Sequence, residues 1–231
     1  MGMRFRDRAE AGQRLAQGLP QFRERPDTIV LGLARGGIPI AAAAAAELYL
    51  PFGAVLVRKL GIPGRGETAF GALAWCQGDV VRIVNRQLKD LLLARGMGEA
   101  ALDAVEAAER AELHRRAAEY PGIDQDLRGK NVILVDDGLA TGATMRAAVE
   151  SVRAAGAAKV VASVPVASLE ASTSLSRVCD AVFCLHIPGK FHAVGAFYRH
   201  FEQLADQDVM ELLKGAGPGS RPQGHKGGAV P

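Results

Sequence analysis

Six short apolar runs, mostly β-branched, punctuate the chain: TIVLGL (28–33), AVLVRKL (54–60), VVRIV (80–84), NVILV (131–135), VVASVPV (160–166) and AVFCL (181–185). They are continuous rather than alternating, the pattern of strands buried on both faces of a parallel sheet. Helical stretches separate several of them. IPIAAAAAAELYL (38–50) carries Pro39 near a first turn and is followed by Gly53. TMRAAVESVRAAG opens on Thr144, a candidate cap, and closes on Gly156. This alternation predicts an α/β fold, a Rossmann-like and mostly parallel sheet of about five strands flanked by helices.

One segment breaks the rhythm. Residues 86–119 are long, charged and helical in pattern, with a break expected at Gly96–Gly98. They predict a helical insertion over about 86–126, packed over the sheet or on a partner chain, with a solvated arm as the competing reading. Residues 1–214 are expected to form a single domain. The Gly/Pro-rich end, GAGPGSRPQGHKGGAVP (215–231), holds no core residues and is expected to be a disordered tail.

Charge and cysteine content narrow the function classes. The net charge is +3, but no acid follows Glu211, whereas Lys214, Arg221 and Lys226 do. Without those three, 25 basic residues face 25 acidic ones, so the body is neutral and nucleic-acid binding by it is not expected. Cys76, Cys179 and Cys184 are odd in number and lack CxxC spacing, which points to a reducing compartment without a disulfide framework or zinc site. The N-terminus has no apolar signal region, and AAAAAAELYL (41–50) is too short to span a bilayer. A cytoplasmic protein without a membrane partner is expected.

The stretch that carries chemistry is VILVDDGLATGATM (132–145). In an open α/β sheet, ligands bind outside the carboxyl ends of the strands, which places Asp136 and Asp137 in the expected site. Adjacent carboxylates repel, and burial alone would raise a pKa. A ligand with vicinal hydroxyls, such as a ribose, suits them, as does a nearby Mg²⁺. The loop Gly138, Leu139, Ala140, Thr141, Gly142, Ala143, Thr144 then enters a helix. Its small residues let backbone N–H groups converge on an anion, the helix N-terminus adds its dipole, and two threonines offer hydroxyls. A sugar 5-phosphate fits this spacing. A Walker A loop fails for want of a lysine. The adjacent acids do not supply the Asp-x-Asp pair of a haloacid-dehalogenase-type phosphatase. A response-regulator receiver carries its acids early in the chain, without such a loop.

The motif resembles the 5-phosphoribosyl-1-pyrophosphate (PRPP) binding motif of type I phosphoribosyltransferases. The resemblance runs over roughly residues 4–213. It is greatest to a group of bacterial stand-alone phosphoribosyltransferase-domain proteins with FRDR near the start, an ARGG loop, VRKLG, and PxxFxAVGxxYxxF near the end. It implies the type I phosphoribosyltransferase fold, with a small hood built from the N-terminal segment and about 186–213. It also implies a Mg²⁺ cofactor held through PRPP and waters, with Asp136 and Asp137 as candidate ligands, and a homodimer as a candidate assembly.

Other residues find roles within that resemblance. At the end of the first run, Gly36 and Gly37 allow close backbone approach and Arg35 brings a permanently charged fork. The family binds pyrophosphate with a loop here, often with a non-proline cis peptide, expected near Ala34–Arg35. Arg58 and Lys59 end the second strand, and Arg65 lies in GIPGRGE (61–67), a stretch that looks like a mobile lid. These cations are expected to neutralise leaving pyrophosphate, with Lys59, Asp136 and Asp137 as the catalytic set. In the hood, Phe191 or Tyr198 is expected either to stack on an acceptor base or to pack in the hood core. The histidines lack metal-ligand spacing, and no GxSxG elbow exists for Ser/His/Asp catalysis. The implied function is Mg²⁺-dependent transfer of a phosphoribosyl group to a nitrogenous base in nucleotide salvage. A PRPP- or nucleotide-sensing regulator without turnover is the alternative, and a phosphohydrolase the third reading.

Overall fold

The computed structural model describes residues 3–33, 35–76, 78–121 and 123–214, without the side chains of residues 65–67 and 76. The expected cis peptide at Ala34–Arg35 and the expected disordered tail lie outside the described residues.

The chain opens with α1 (Arg8–Gln17), capped by Asp7, whose carboxylate accepts the Glu10 amide at 2.9 Å. Then follow β1 (Thr28–Leu33), α2 (Gly37–Leu48) and β2 (Phe52–Val55). Next come β3 (Val57–Ile62), β4 (Arg65–Cys76) and β5 (Asp79–Val84), then α3 (Arg86–Ala94) and α4 (Glu99–Glu119). The chain continues through β6 (Asn131–Val135), α5 (Ala143–Ala154), β7 (Lys159–Val166), α6 (Leu169–Leu175), β8 (Ala181–His186) and α7 (Asp206–Lys214).

Five strands form one sheet in the order β2-β1-β6-β7-β8, every pairing parallel. The continuous apolar runs have a direct cause. Ile29, Leu31 and Leu33 of β1 face a core shared with Met145, Ala148 and Val152 of α5. Val30, one step out of phase, faces Leu15 of α1 and Ile40 and Ala44 of α2. Side chains alternate across a strand, so a sheet covered on both faces needs apolar residues at every position. From β1 the chain steps to β2 on one side, whereas β6 lies on the other side and leads on to β7 and β8. The strand order therefore reverses between β1 and β6, and the crevice outside their carboxyl ends is where such sheets bind ligands.

Several expectations need correction. The run at 54–60 is not one strand. β2 stops at Val55, and β3 starts at Val57 in a separate three-stranded antiparallel sheet, β3-β4-β5. The run at 80–84 belongs to that second sheet as its outer strand and is only half buried. β4 was hidden by its glycines. GIPGRGE holds the β3–β4 turn, with Gly64 at φ +76°, and the start of β4, so the expected lid would be the tip of a β-hairpin. α2 ends at Leu48 with Tyr49 left-handed at φ 57°, well before Gly53, which pairs inside β2. The cap of α5 is Gly142, not Thr144.

α3 and α4 flank Gly96 and Gly98, as their spacing suggested. α4 packs on β3 and β4. A third core joins Leu60, Phe70 and Leu73 of this sheet to Leu102 and Leu113 of α4 and Val209 and Leu213 of α7. Among the described residues, no helix is long and apolar enough to cross a membrane.

Candidate active site

β6 ends in the buried Val135, and the next two residues emerge at the crevice. The Asp137 amide donates to the Asp136 carboxylate at 2.9 Å. The loop beyond is pinned to the neighbouring strand. Leu139 is 2% exposed, its amide donates to the Val166 carbonyl at 2.9 Å, and its carbonyl accepts from the Ser168 amide. Its side chain and amide are thus committed to the core, leaving the smaller residues around it to face a ligand. Gly142 adopts φ +74°, a left-handed conformation that glycine takes at little cost. It hands the chain into α5, whose first-turn amides point back toward the loop.

One cavity of about 210 Å³ gathers this machinery. Its walls are Lys59, Asp136, Asp137, the whole loop Gly138–Thr144, Met145 and Val194. A second, of about 270 Å³, shares Asp137 and is walled also by Arg8, Arg35, Gly36 and Phe201–Leu204. The ARGG loop approaches closely: a Cβ on Gly36 would lie 2.1 Å from Asp137 Oδ2, and one on Gly37 2.2 Å from the Val135 carbonyl oxygen. Any side chain there would displace the carboxylate or the end of β6.

Strand alternation separates two neighbouring cations. Lys59 lines the first cavity, whereas Arg58 binds Glu109 of α4 at 2.6 Å and lines neither cavity. Its expected place against a ligand is therefore corrected: adjacent residues of a strand point to opposite faces. Arg35 lies 3.6 Å from Asp206 at the start of α7. Arg65 begins β4, and its side chain lies outside the described residues. Tyr198 is 3% exposed and its hydroxyl donates to the Asp137 carbonyl at 2.7 Å, so it supports the carboxylate loop and is not open to stack on a base. Phe191 lies against Phe197, ring centroids 5.7 Å apart, and lines neither cavity.

The electrostatics are strained. Burial, then repulsion from Asp137, pushes the Asp136 carboxyl well above its ordinary range, with Lys59 and Arg8 opposing. Burial also raises Asp137, and Arg8 is its main counterweight. Arg8 escaped the residue-level reading. It places Nη2 3.4 Å from Asp137 Oδ2 and is 12% exposed. Its signal was present as the last residue of FRDR, but nothing local says that α1 delivers it to β6. Two adjacent carboxylates could also bind a hard cation through oxygens. Among the described residues no group of three or more His, Cys, Asp or Glu has metal-site geometry, so further ligands would have to come from a substrate and water.

Comparison with known proteins identifies the arrangement. Residues 93–198 match the family model described as phosphoribosyl transferase domain. Two Mycobacterium tuberculosis proteins, from strains CDC 1551 and H37Rv, are each 42% identical over 211 residues and are named "Putative phosphoribosyl transferase". The crystal structure of TT1426 from Thermus thermophilus is 38% identical and superposes with a TM-score of 0.76, covering 93% of this chain and 99% of that one. The chain belongs to the phosphoribosyl transferase family.

Its five-stranded parallel sheet with flanking helices is the type I phosphoribosyltransferase fold that the sequence led us to expect. The match to the Mycobacterium proteins spans 90% of this chain but only 46% of their length. The matched phosphoribosyl transferase domain includes Asp136–Thr144. It leaves out Arg8, Arg35 and Lys59, which the fold brings to the same crevice.

Proposed function

We propose that this chain is a Mg²⁺-dependent phosphoribosyltransferase that moves the 5-phosphoribosyl group of PRPP to a nitrogenous base with release of pyrophosphate, in nucleotide salvage. The observation that carries this reading is the first cavity. There the loop Gly138–Thr144, two carboxylates and a lysine line a single space of about 210 Å³, which suits a sugar phosphate. The 5-phosphate takes the loop amides and the N-terminus of α5. The ribose hydroxyls donate to Asp136 and Asp137. C1 then lies on the Asp137 side, toward the second cavity and the Arg35–Gly36 loop.

The C1–O bond to pyrophosphate breaks, a base nitrogen forms the new C1–N bond, and positive charge develops on the ribose between those events. Asp136 and Asp137 favour that charge. Lys59 and Arg35 favour the departing anion, together with the Gly36 and Gly37 amides. No protein nucleophile is required. The rate comes from positioning, worth up to about 7–11 kcal/mol, and from fixed electrostatics. Asp136 and Asp137 suit Mg²⁺ as hard oxygen donors, directly or through water, with PRPP oxygens completing the shell. When bound, the metal supplies charge neutralisation at the leaving group.

The test is ³¹P NMR of PRPP and Mg²⁺ with the purified protein, without acceptor and with each common nucleobase. Pyrophosphate release that requires one base is expected. Release without any base would replace transfer by hydrolysis, and PRPP binding without release under every condition would favour a sensor.

A further inference from the structure

The first and last described segments are laced together beside the site. The Phe5 amide donates to the Phe197 carbonyl at 2.8 Å, the Arg199 amide to Phe5 at 2.9 Å, and the His200 amide to Arg6 at 2.9 Å. Arg8 closes the lacing. Its Nη1 donates to the Glu202 carbonyl at 3.0 Å and its guanidinium lies 4.0 Å over the Phe201 ring. From that seat Nη2 reaches Asp137 Oδ2, the same oxygen that lies against Gly36. Tyr198, from the same laced segment, holds the Asp137 carbonyl. The buried Arg8 Nε has no hydrogen-bond partner, a cost that packing alone does not explain.

We propose that Arg8 is a positioning residue, a clamp from α1 that fixes the Asp137 carboxylate on the wall between the two cavities. It rests on the reading of Asp137 as a ribose ligand. The aspartate side chain has two rotatable bonds, and a carboxylate beside a second carboxylate turns away unless a cation holds it. Arg8 is that cation. Its fork is immobilised by Phe201 and Glu202, so the freedom of Asp137 is removed before ligand arrives. Lys59 cannot substitute, because it enters from the cavity that the ligand occupies.

The experiment is calorimetric binding of two probes, ribose 5-phosphate and butyl phosphate, the second keeping the phosphate and lacking the hydroxyl pair. Wild type is expected to prefer ribose 5-phosphate. Arg8→Gln is expected to lose about tenfold on ribose 5-phosphate, the scale of one charge-assisted contact, and little on butyl phosphate. Arg8→Lys is expected to recover part of the loss, and it carries the test if Arg8→Gln does not fold. In a double-mutant cycle, Arg8→Gln is expected to cost nothing more once Asp137→Asn is present. A folded Arg8→Gln that keeps the preference, or one whose cost persists in the Asp137→Asn background, would overturn the clamp. A wild type without preference would instead overturn the ribose reading, and the clamp's role in ligand binding with it.

Discussion

Two carboxylates share one cavity wall at the end of β6, where Asp137 has a single ion pair, to Arg8 at 3.4 Å, and Asp136 has none among the described residues. On α4 the opposite holds. Glu106, Glu109 and Glu112 each find an arginine at 2.6–2.7 Å, and Arg115 bridges Glu112, Glu119 and Asp206. Burial therefore raises the pKa of Asp136 and Asp137, whereas arginine contacts lower those of Glu106 and Glu112, with Glu112 held down to about 2 by its two arginines. Charges on α4 are partnered and partly solvated, and they hold a surface helix to a sheet. Charges at β6 are poorly compensated in the absence of ligand, the condition of groups poised to meet one.

The largest test of this contrast removes a charge from the cavity. Asp137→Asn is expected to lower kcat/KM at least about tenfold while leaving the fold intact; unchanged kinetics would reject its role. Lys59→Ala should lose turnover on the same scale, while Arg58→Ala, its neighbour in β3, should stay within about twofold. Equal losses would break the assignment of opposite faces. Asp136→Asn should raise thermal stability. Its carboxyl is raised on folding, so between the unfolded and folded pKa the native state binds more protons and stability falls as pH rises. Asparagine removes that penalty at pH 7 and keeps the acceptor for the Asp137 amide. A rise of about 2–4 °C corresponds to ~1 kcal/mol in a domain of this size, and it should vanish at pH values where both Asp136 states are protonated. Glu112→Gln should do the reverse, weakly. Its stabilisation is present above its unfolded pKa and lost as pH falls through about 2, and its surface partners keep the effect to about 1 kcal/mol or less. A melting curve against pH distinguishes the two signs.

The loop after β6 was legible because its chemistry is local. Strand, paired acids, small residues and helix follow one another within fourteen positions, and each link is short-range. The ARGG turn was legible for the same reason. The β3–β5 sheet was legible only in part. The runs that became β3 and β5 read as strands, but β4, rich in glycine, did not, and the antiparallel pairing of Leu60 with Gly71 and of Ala74 with Val81 that sets these strands apart from the parallel sheet is non-local. Gly71 has a use that no local pattern reveals: a Cβ there would lie 2.4 Å from the Ile83 carbonyl oxygen on the neighbouring strand. Arg58 was misplaced, and the choice left open for Tyr198 between stacking and packing could not be made, because residue type suggests what a side chain can do and not which way it points. Arg58 was spent on Glu109, and Tyr198 on the backbone of Asp137.

By itself, then, the sequence determined the parallel sheet, its buried strands and the small-residue loop that follows the paired acids, because periodicity and turn chemistry act over a few residues. Tertiary structure alone decided that Arg8, 129 positions before Asp137, closes that site, and that Arg58 leaves it. Such pairings depend on where distant segments meet, and that is set by the packing of the whole chain.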